Sequence, residues 1–248
     1  MSAPMLLGAL PTRRDEDYRY ADLAALEPLW PVAVERIVVA PGESGAKSIV
    51  LDAPNDVARA LEIELGAGAK FDLRLLNTGG GYGRFALSVT LGEGADFTFG
   101  AAQLGGGAQT LETVTTVTHA APNATSRQIV RSVLAGHATG TYLGKVAVAR
   151  GADGTDAGQS VRAMLLDRTA TANAKPELEI YADDVKCAHG CAVGELDQQA
   201  LFYMASRGIP PAEAKRLMLQ AFVAEAFVGA ADETALTAAA LARLEVLV

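Results

Sequence analysis

The stretch with the clearest chemical potential is EIYADDVKCAHGCAVGEL at residues 179–196. It contains both cysteines of the chain and one of its three histidines, as Cys187, His189 and Cys191 in the spacing C-x-H-x-C. Thiolate and imidazole are ligands for zinc, iron and iron–sulfur clusters. Three ligands are one short of a closed tetrahedral zinc site. The stretch is therefore compatible with a structural turn, a metal or redox site within this chain, or an incomplete site that another chain finishes.

The local backbone decides whether these three side chains can act together. On a β-strand, residues i, i+2 and i+4 point to the same face, so a continuous strand would align them. Gly190 and Gly194 instead predict that the strand turns near this point. The two thiols are also too close in sequence to form a disulfide framework.

Composition excludes several classes of protein. The net charge of −8 opposes a sequence-independent interaction with nucleic acid, and no stretch approaches the roughly 18 apolar residues of a membrane span. The basic residues near the start follow a short apolar run, whereas in a signal peptide they precede it. The sequence has no P-loop, no G-x-S-x-G and no H-E-x-x-H. We expect a cytoplasmic protein that is not an enzyme and binds neither nucleic acid nor membrane.

Alternating apolar residues predict a mainly β fold. The alternating positions before and after the first glycine turn are Leu61, Ile63 and Leu65, then Phe71, Leu73 and Leu75. The patterns LGAGAKF at 65–71 and LGEGADF at 91–97 repeat with an offset of 26 residues. A strand–turn–strand unit that recurs in this way suggests a β-helix, in which stacked coils bury a common interior. An antiparallel sandwich with short hairpins is the alternative.

The pattern divides the chain into three parts. We predict a short N-terminal segment at 1–31, a β-helix core at 32–193 and a small C-terminal α-helical domain at 194–248. One helix of that domain has an apolar stripe at Ala214, Leu217, Met218, Ala221 and Phe222. Glu225 falls on the same face, where it either ends the buried contact or meets a polar partner. We expect these helices to cap the open end of the solenoid or to dock onto a partner.

Longer segments of the chain resemble the SufD family, the scaffold subunits of the Suf iron–sulfur cluster assembly machinery. The resemblance is strongest in KPELEIYADDVKCAHGCAVGELDQQALFYMASRGIPPAEAKRLMLQAFVAE at 175–225. It extends to YLGKVAVARGADGTDAGQ at 142–159, THAAPNATS at 118–126 and, more weakly, PTRRDEDYRYADL at 11–23. The resemblance implies a right-handed parallel β-helix followed by C-terminal helices. It also implies a non-ATPase subunit that pairs with a SufB-like subunit through the end of the β-helix and receives a SufC-like ATPase on its helices.

The resemblance also implies roles for individual residues. His189 matches the family's interface histidine and Cys187 its neighbouring cysteine, so both are expected to hold a transient Fe–S cluster that is not tightly bound to the isolated chain. Cys191 stands where the family usually has alanine. The expected ATPase-docking residues are Leu201, Tyr203, Arg207, Ile209, Pro210, Met218 and Phe222. The chain is also shorter than typical members of the family.

Other interpretations remain. Cys187 and Cys191 could form a zinc-binding or redox-responsive site in a stand-alone β-solenoid protein. Asp183 and Asp184 are adjacent, so on a strand they would face opposite ways and make a poor catalytic pair for polysaccharide cleavage. His119 and His137 have no cysteine nearby in sequence and are expected to be scaffold histidines. A homodimer through the exposed end of the β-helix is plausible when the chain is alone.

Overall fold

The computed structural model describes residues 9–248, and β-strands dominate this part of the chain. The strands are β1 (Val34–Val39), β2 (Ser44–Leu51), β3 (Val57–Leu65), β4 (Lys70–Asn77), β5 (Tyr82–Leu91), β6 (Asp96–Gly105), β7 (Thr110–His119), β8 (Thr125–Leu134), β9 (Thr139–Val148), β10 (Asp156–Leu165), β11 (Thr171–Ile180) and β12 (Lys186–Gly194). The α-helices are α1 (Leu23–Leu26), α2 (Gln198–Ser206), α3 (Pro211–Ala224) and α4 (Glu233–Leu247), and the 3-10 helices are Glu16–Tyr18 and Glu27–Leu29. Within this described part, no helix has the length and apolar character needed to cross a membrane.

The strands form a parallel β-solenoid. Each strand pairs in parallel with the strand two places away in the chain. The odd-numbered strands therefore make one six-stranded sheet and the even-numbered strands another, so that each coil contributes one strand to each sheet. This confirms the predicted β-helix. It rules out the antiparallel sandwich, because hairpins would have paired consecutive strands antiparallel.

The sequence repeat corresponds to one coil of the solenoid. Leu65 lies opposite Leu91, and Phe71 lies opposite Phe97 in the neighbouring coil. Between these positions Gly68 has a φ of 65°, a left-handed conformation that glycine adopts without steric cost. The repeated glycine turn therefore bends the chain at the same corner of successive coils, and the apolar residues on either side stack into a common interior.

The N-terminal segment covers the outer face of the odd-numbered sheet. The Tyr18 ring lies 4.3 Å from the guanidinium carbon of Arg84, which forms a buried ion pair with Glu112 at 2.5 Å. The backbone N–H of Asp22 also donates to Glu112. These contacts attach the segment to β5 and β7. The first eight residues of the predicted 1–31 segment lie outside the described residues.

The C-terminal helices cover the outer face of the even-numbered sheet, so the expectation that they cap the open end is wrong. Apolar residues point outward from the middle strands of this sheet and require a cover. The residues in this interface include Leu76, Ala102, Leu104 and Val133 from the strands, and Leu219, Val223, Leu236, Ala240 and Leu244 from the helices. The contact is close: a Cβ on Gly100 would lie 1.8 Å from the carbonyl oxygen of Ala226.

The buried face of α3 is rotated from the predicted stripe. The helix buries Ala214, Leu219 and Val223, and partly buries Met218 and Phe222. Leu217 and Ala221 are exposed. The apolar surface of α3 is wider than one stripe, and packing against the sheet selected the side that carries Leu219 and Val223. Glu225 does meet a polar partner, since it forms an ion pair of 2.8 Å with the fully buried side chain of Arg131.

Candidate functional site

The last strand carries the three predicted ligand residues on one face. β12 pairs with β10 along its whole length, so the predicted turn near Gly190 is wrong. The ladder hydrogen bonds with β10 hold both glycines in an extended strand. The register pairs are Cys187 with Ala157, His189 with Gln159 and Cys191 with Val161. The β10 residues are buried in the solenoid interior, so their β12 counterparts point towards the same interior. We call Cys187, His189 and Cys191 the terminal row.

The terminal row lies at an open end of the solenoid. Within residues 9–248, β12 pairs only with β10 and β11 only with β9, so both strands of the last coil have a free edge in this part of the chain. His189 and Cys191 are exposed, and Cys187 is half-buried. A free strand edge presents unpaired backbone N–H and C=O groups that a second chain can bind. Donor side chains and an unfilled hydrogen-bonding edge therefore occur together.

The two thiols lie in partly apolar surroundings. Burial raises the pKa of Cys187, and the nearby carboxylate of Asp156 raises it further. Burial also raises the pKa of Cys191, whose sulfur lies 3.8 Å from the carbonyl oxygen of Ala174. Since the thiolate is the reactive and metal-binding form, these surroundings disfavour a redox switch that operates in the isolated chain. A metal ion itself supplies the positive charge that displaces a thiol proton, so capture of iron by these thiols would release protons.

The terminal row does not make a metal site by itself. Among residues 9–248, no three His, Cys, Asp or Glu side chains are placed so that they could share a metal ion. The row is a line of donors along one strand. Chemically, it can offer a ligand or a hydrogen bond to a group brought by another surface.

The other histidines are separate from this end. His119 is fully buried, and its Nε2 lies 2.9 Å from the Oγ of Ser126. Burial lowers the pKa of His119 to about 4, so it is a neutral interior residue at neutral pH. His137 is exposed in the turn between β8 and β9. Both positions fit residues of the scaffold.

The predicted docking residues divide by exposure. Tyr203, Arg207 and Pro210 are exposed, whereas Leu201, Ile209, Met218 and Phe222 are partly buried. The Arg207 guanidinium carbon lies 5.1 Å from the centroid of the Tyr203 ring. Phe202, which sequence reasoning missed, is 77% exposed and lines an open groove of about 500 Å³ together with Leu201 and Val248. The surface of α2 is therefore apolar and available to a partner.

Sequence reasoning also missed two glutamines behind the terminal row. Gln128 and Gln159 occupy inward positions of β8 and β10 and are almost completely buried. A signal was present for Gln159, which alternates with Ala157, Val161 and Ala163, whereas Gln128 shares its face with Ser126 and Ser132 and does not stand out.

Fold and site together define a class: a β-solenoid protein with potential metal-ligand side chains in a row at one end. Residues 56–222, more than half of the chain, match the family described as "SUF system FeS cluster assembly, SufBD core domain". The protein belongs to this family of iron–sulfur cluster assembly proteins, which confirms the resemblance seen in the sequence.

Individual relatives agree with this assignment. The chain is 43% identical over 106 residues to the chloroplastic protein ABCI7 of Arabidopsis thaliana, covering 42% of this chain and 22% of that protein. It is 38% identical over 108 residues to the iron–sulfur cluster assembly protein SufD of Escherichia coli K12, covering 44% and 26%. It is 35% identical over 119 residues to a SufBD family protein of Synechocystis, covering 48% and 26%. The matched part spans about a quarter of the length of these relatives.

Proposed function

We propose that this protein is a non-ATPase scaffold subunit of a Suf complex. A nascent Fe–S cluster would be assembled between its terminal row and a SufB-like subunit, and a SufC-like ATPase on its helices would drive the process. The observation that carries the proposal is the terminal row itself, an incomplete set of donors at a free end of a SufBD-family solenoid.

An incomplete set suits a cluster that must be released. Four ligands from one chain would hold iron tightly, whereas ligands divided between two chains separate when the chains move apart. The free edge of β12 supports such a contact, because a partner strand can continue its ladder. His189 is the residue on which the proposal places most weight, and Cys187 is secondary because it is half-buried and its thiol pKa is raised.

The structure also offers a connection between the helices and the terminal row. The guanidinium carbon of Arg131 lies 5.8 Å from the ring centroid of Phe222, and the guanidinium donates to the hydroxyl of Ser160 on β10. β10 in turn pairs with β12. A force applied to α3 by an ATPase would therefore reach β10, the strand next to the terminal row, through partly buried contacts.

The test is cluster assembly in the complex reconstituted with SufB-like and SufC-like partners. We expect His189→Ala to lower the yield of cluster at least about tenfold, the loss typical when a residue that supports a metal site by hydrogen bonding is removed. His137→Ala is the matched control, because it removes an exposed histidine far from the terminal row. A normal yield with His189→Ala would exclude His189 from the mechanism.

Metal analysis separates this proposal from the stand-alone alternative. We expect the chain purified alone to contain no stoichiometric metal, because its row of donors needs a second surface. One tightly held zinc per chain, lost in a Cys187→Ser and Cys191→Ser double variant, would favour the zinc-binding module instead. Co-purification with partner subunits from its own source cells would test the expected complex, and fractionation of those cells would test the expected cytoplasmic location.

A further inference from the structure

Two buried glutamines behind the terminal row have unsatisfied amides. Gln159 is 3% exposed and Gln128 is 1% exposed. In the described part of the chain, neither amide atom of Gln159 has a hydrogen-bond partner, and Gln128 Nε2 also lacks one. Buried amides are rarely left unpaired, so these three atoms require an explanation.

The two glutamines are in register with His189. Gln128 on β8 lies opposite Gln159 on β10, which lies opposite His189 on β12. Neighbouring strands are about 4.8 Å apart, and residues in register on parallel strands point the same way. Stacked amides at this spacing can form a hydrogen-bonded ladder, since each amide has a donor and an acceptor at its end.

The buried end of the ladder sets its direction. Gln128 Oε1 accepts from Thr115 Oγ1 and from the hydroxyl of Tyr142, each at 3.2 Å. The Thr115 and Tyr142 oxygens also lie 3.0 Å apart, so the two hydroxyls form one group around the Gln128 oxygen. In this arrangement the amide N–H groups of Gln128 face the next coil. They match Gln159 Oε1, and the Gln159 N–H groups then match a lone pair on the His189 ring. Rotation of the terminal amide torsions would thus satisfy all three unpaired atoms.

We propose that this ladder fixes the tautomer of His189 so that the ring nitrogen facing the partner carries the hydrogen. A neutral imidazole has one N–H and one bare nitrogen, and the ladder occupies the bare one. His189 then acts as a hydrogen-bond donor to a thiolate or sulfide on the partner, and not as an iron ligand. Gln159 is the positioning residue. The nature of the group that His189 faces rests on the proposed function, whereas the ladder is a property of this chain alone.

The test is the tautomer of His189 in the full chain labelled with ¹⁵N-histidine, measured by long-range ¹H–¹⁵N NMR at alkaline pH. His189→Ala identifies the signal. We expect one dominant tautomer in the unmodified chain and a loss of that preference in Gln159→Met. In Gln159→Glu we expect the opposite tautomer, because a carboxylate accepts a hydrogen bond where the amide donated one. Identical tautomer populations in all three proteins would overturn the proposal.

A measurement on the unmodified chain keeps the proposal testable if a variant fails to fold. The side-chain amide protons of Gln159 should exchange slowly with solvent and show cross-relaxation with the His189 ring, and the absence of both would exclude the ladder. In the reconstituted complex, His189→Gln keeps an N–H donor and should retain more cluster yield than His189→Ala. Equal loss in both variants would overturn the donor role while leaving the scaffold function standing.

Discussion

The first and last coils of the solenoid carry different kinds of inward-facing side chains. In the first coil, Glu35 and Lys47 occupy inward-facing register positions and form an ion pair at 2.5 Å, and Arg59 binds Glu35 at 3.1 Å. The corresponding inward positions of the last coil carry the terminal row of thiols and imidazole. Inward-facing charges at an edge discourage the addition of another strand. The comparison indicates that the first end carries inward charges that oppose strand addition, whereas the inward positions of β12 at the last end carry no such ion pair.

The charge cluster at the first end is stable over the neutral pH range. The hydrogen bond from Lys47 lowers the pKa of Glu35, so this carboxylate stays ionised in mildly acidic solution. Further along β2 from Lys47, the inward-facing residues Ile49 and Leu51 are buried. We call Glu35, Lys47 and Arg59 the charge plug.

The largest expected effect is on the pH dependence of stability, and it comes from His119 in the coils between the two ends, where the interior is closed to solvent. Burial holds the pKa of His119 near 4, below its ordinary value of 6.5. Its contribution to the free energy of unfolding is therefore complete above pH 6.5 and is lost as pH falls from 6.5 to about 4, a loss of about 3 kcal/mol. Urea unfolding across this pH range measures it.

His119→Gln provides the comparison, since glutamine has no proton to gain in this range. The slope of stability against pH between 6.5 and 4 should be smaller in the variant by the contribution of one histidine. An unchanged slope would mean that the interior around His119 is open to water like the last coil, and the contrast between sealed and open coils would fail.

The next effect tests the open end directly. A Cβ on Gly190 meets no atom within 4 Å, so Gly190→Lys should fold normally while placing a charge beside the free edge of β12. We expect the affinity for a SufB-like partner to fall at least about tenfold, as expected for an uncompensated charge at an interface. The measurement is titration calorimetry or a pull-down with purified partner.

Val38→Lys is the matched control for this prediction. Val38 is 65% exposed on the outer face of β1, at the equivalent edge of the first coil. The control should bind the partner normally. If Val38→Lys weakened binding and Gly190→Lys did not, the assignment of the two ends would have to be exchanged.

The smallest expected effect tests the charge plug. Glu35→Val with Lys47→Val removes the inward charges and leaves an apolar free edge at the first end. In a Gly190→Lys background, which blocks the last end, we expect weak self-association that the parent Gly190→Lys chain lacks, with a dissociation constant of roughly micromolar to millimolar. Sedimentation velocity at increasing concentration measures it, and a strictly monomeric variant would show that the plug does not protect the edge.

Much of the solenoid could be predicted because its signals are local. Alternation correctly predicts that Ile63 and Leu73 lie in the interior, and the repeat correctly relates Leu65 to Leu91 in the next coil. The prediction failed at Gly190, where local propensity suggests a turn but the ladder with β10 keeps the strand extended. It failed again for the helices, because the sequence of α3 shows an apolar face without showing what that face packs against.

The sequence by itself was sufficient to predict a stacked β fold. The alternation of apolar residues and the glycine turns depend only on residues that are close together in the chain. The sequence was also sufficient to single out Cys187 and His189 as candidate ligands, because chemically distinctive side chains can be recognised without any contact; their role stays a prediction. Contacts between distant residues decided the rest: that the helices lie on the flank, that the first end is plugged by charge, and that Gln159 stands behind His189. These features depend on which strands and helices pack against each other, and only the tertiary structure shows that.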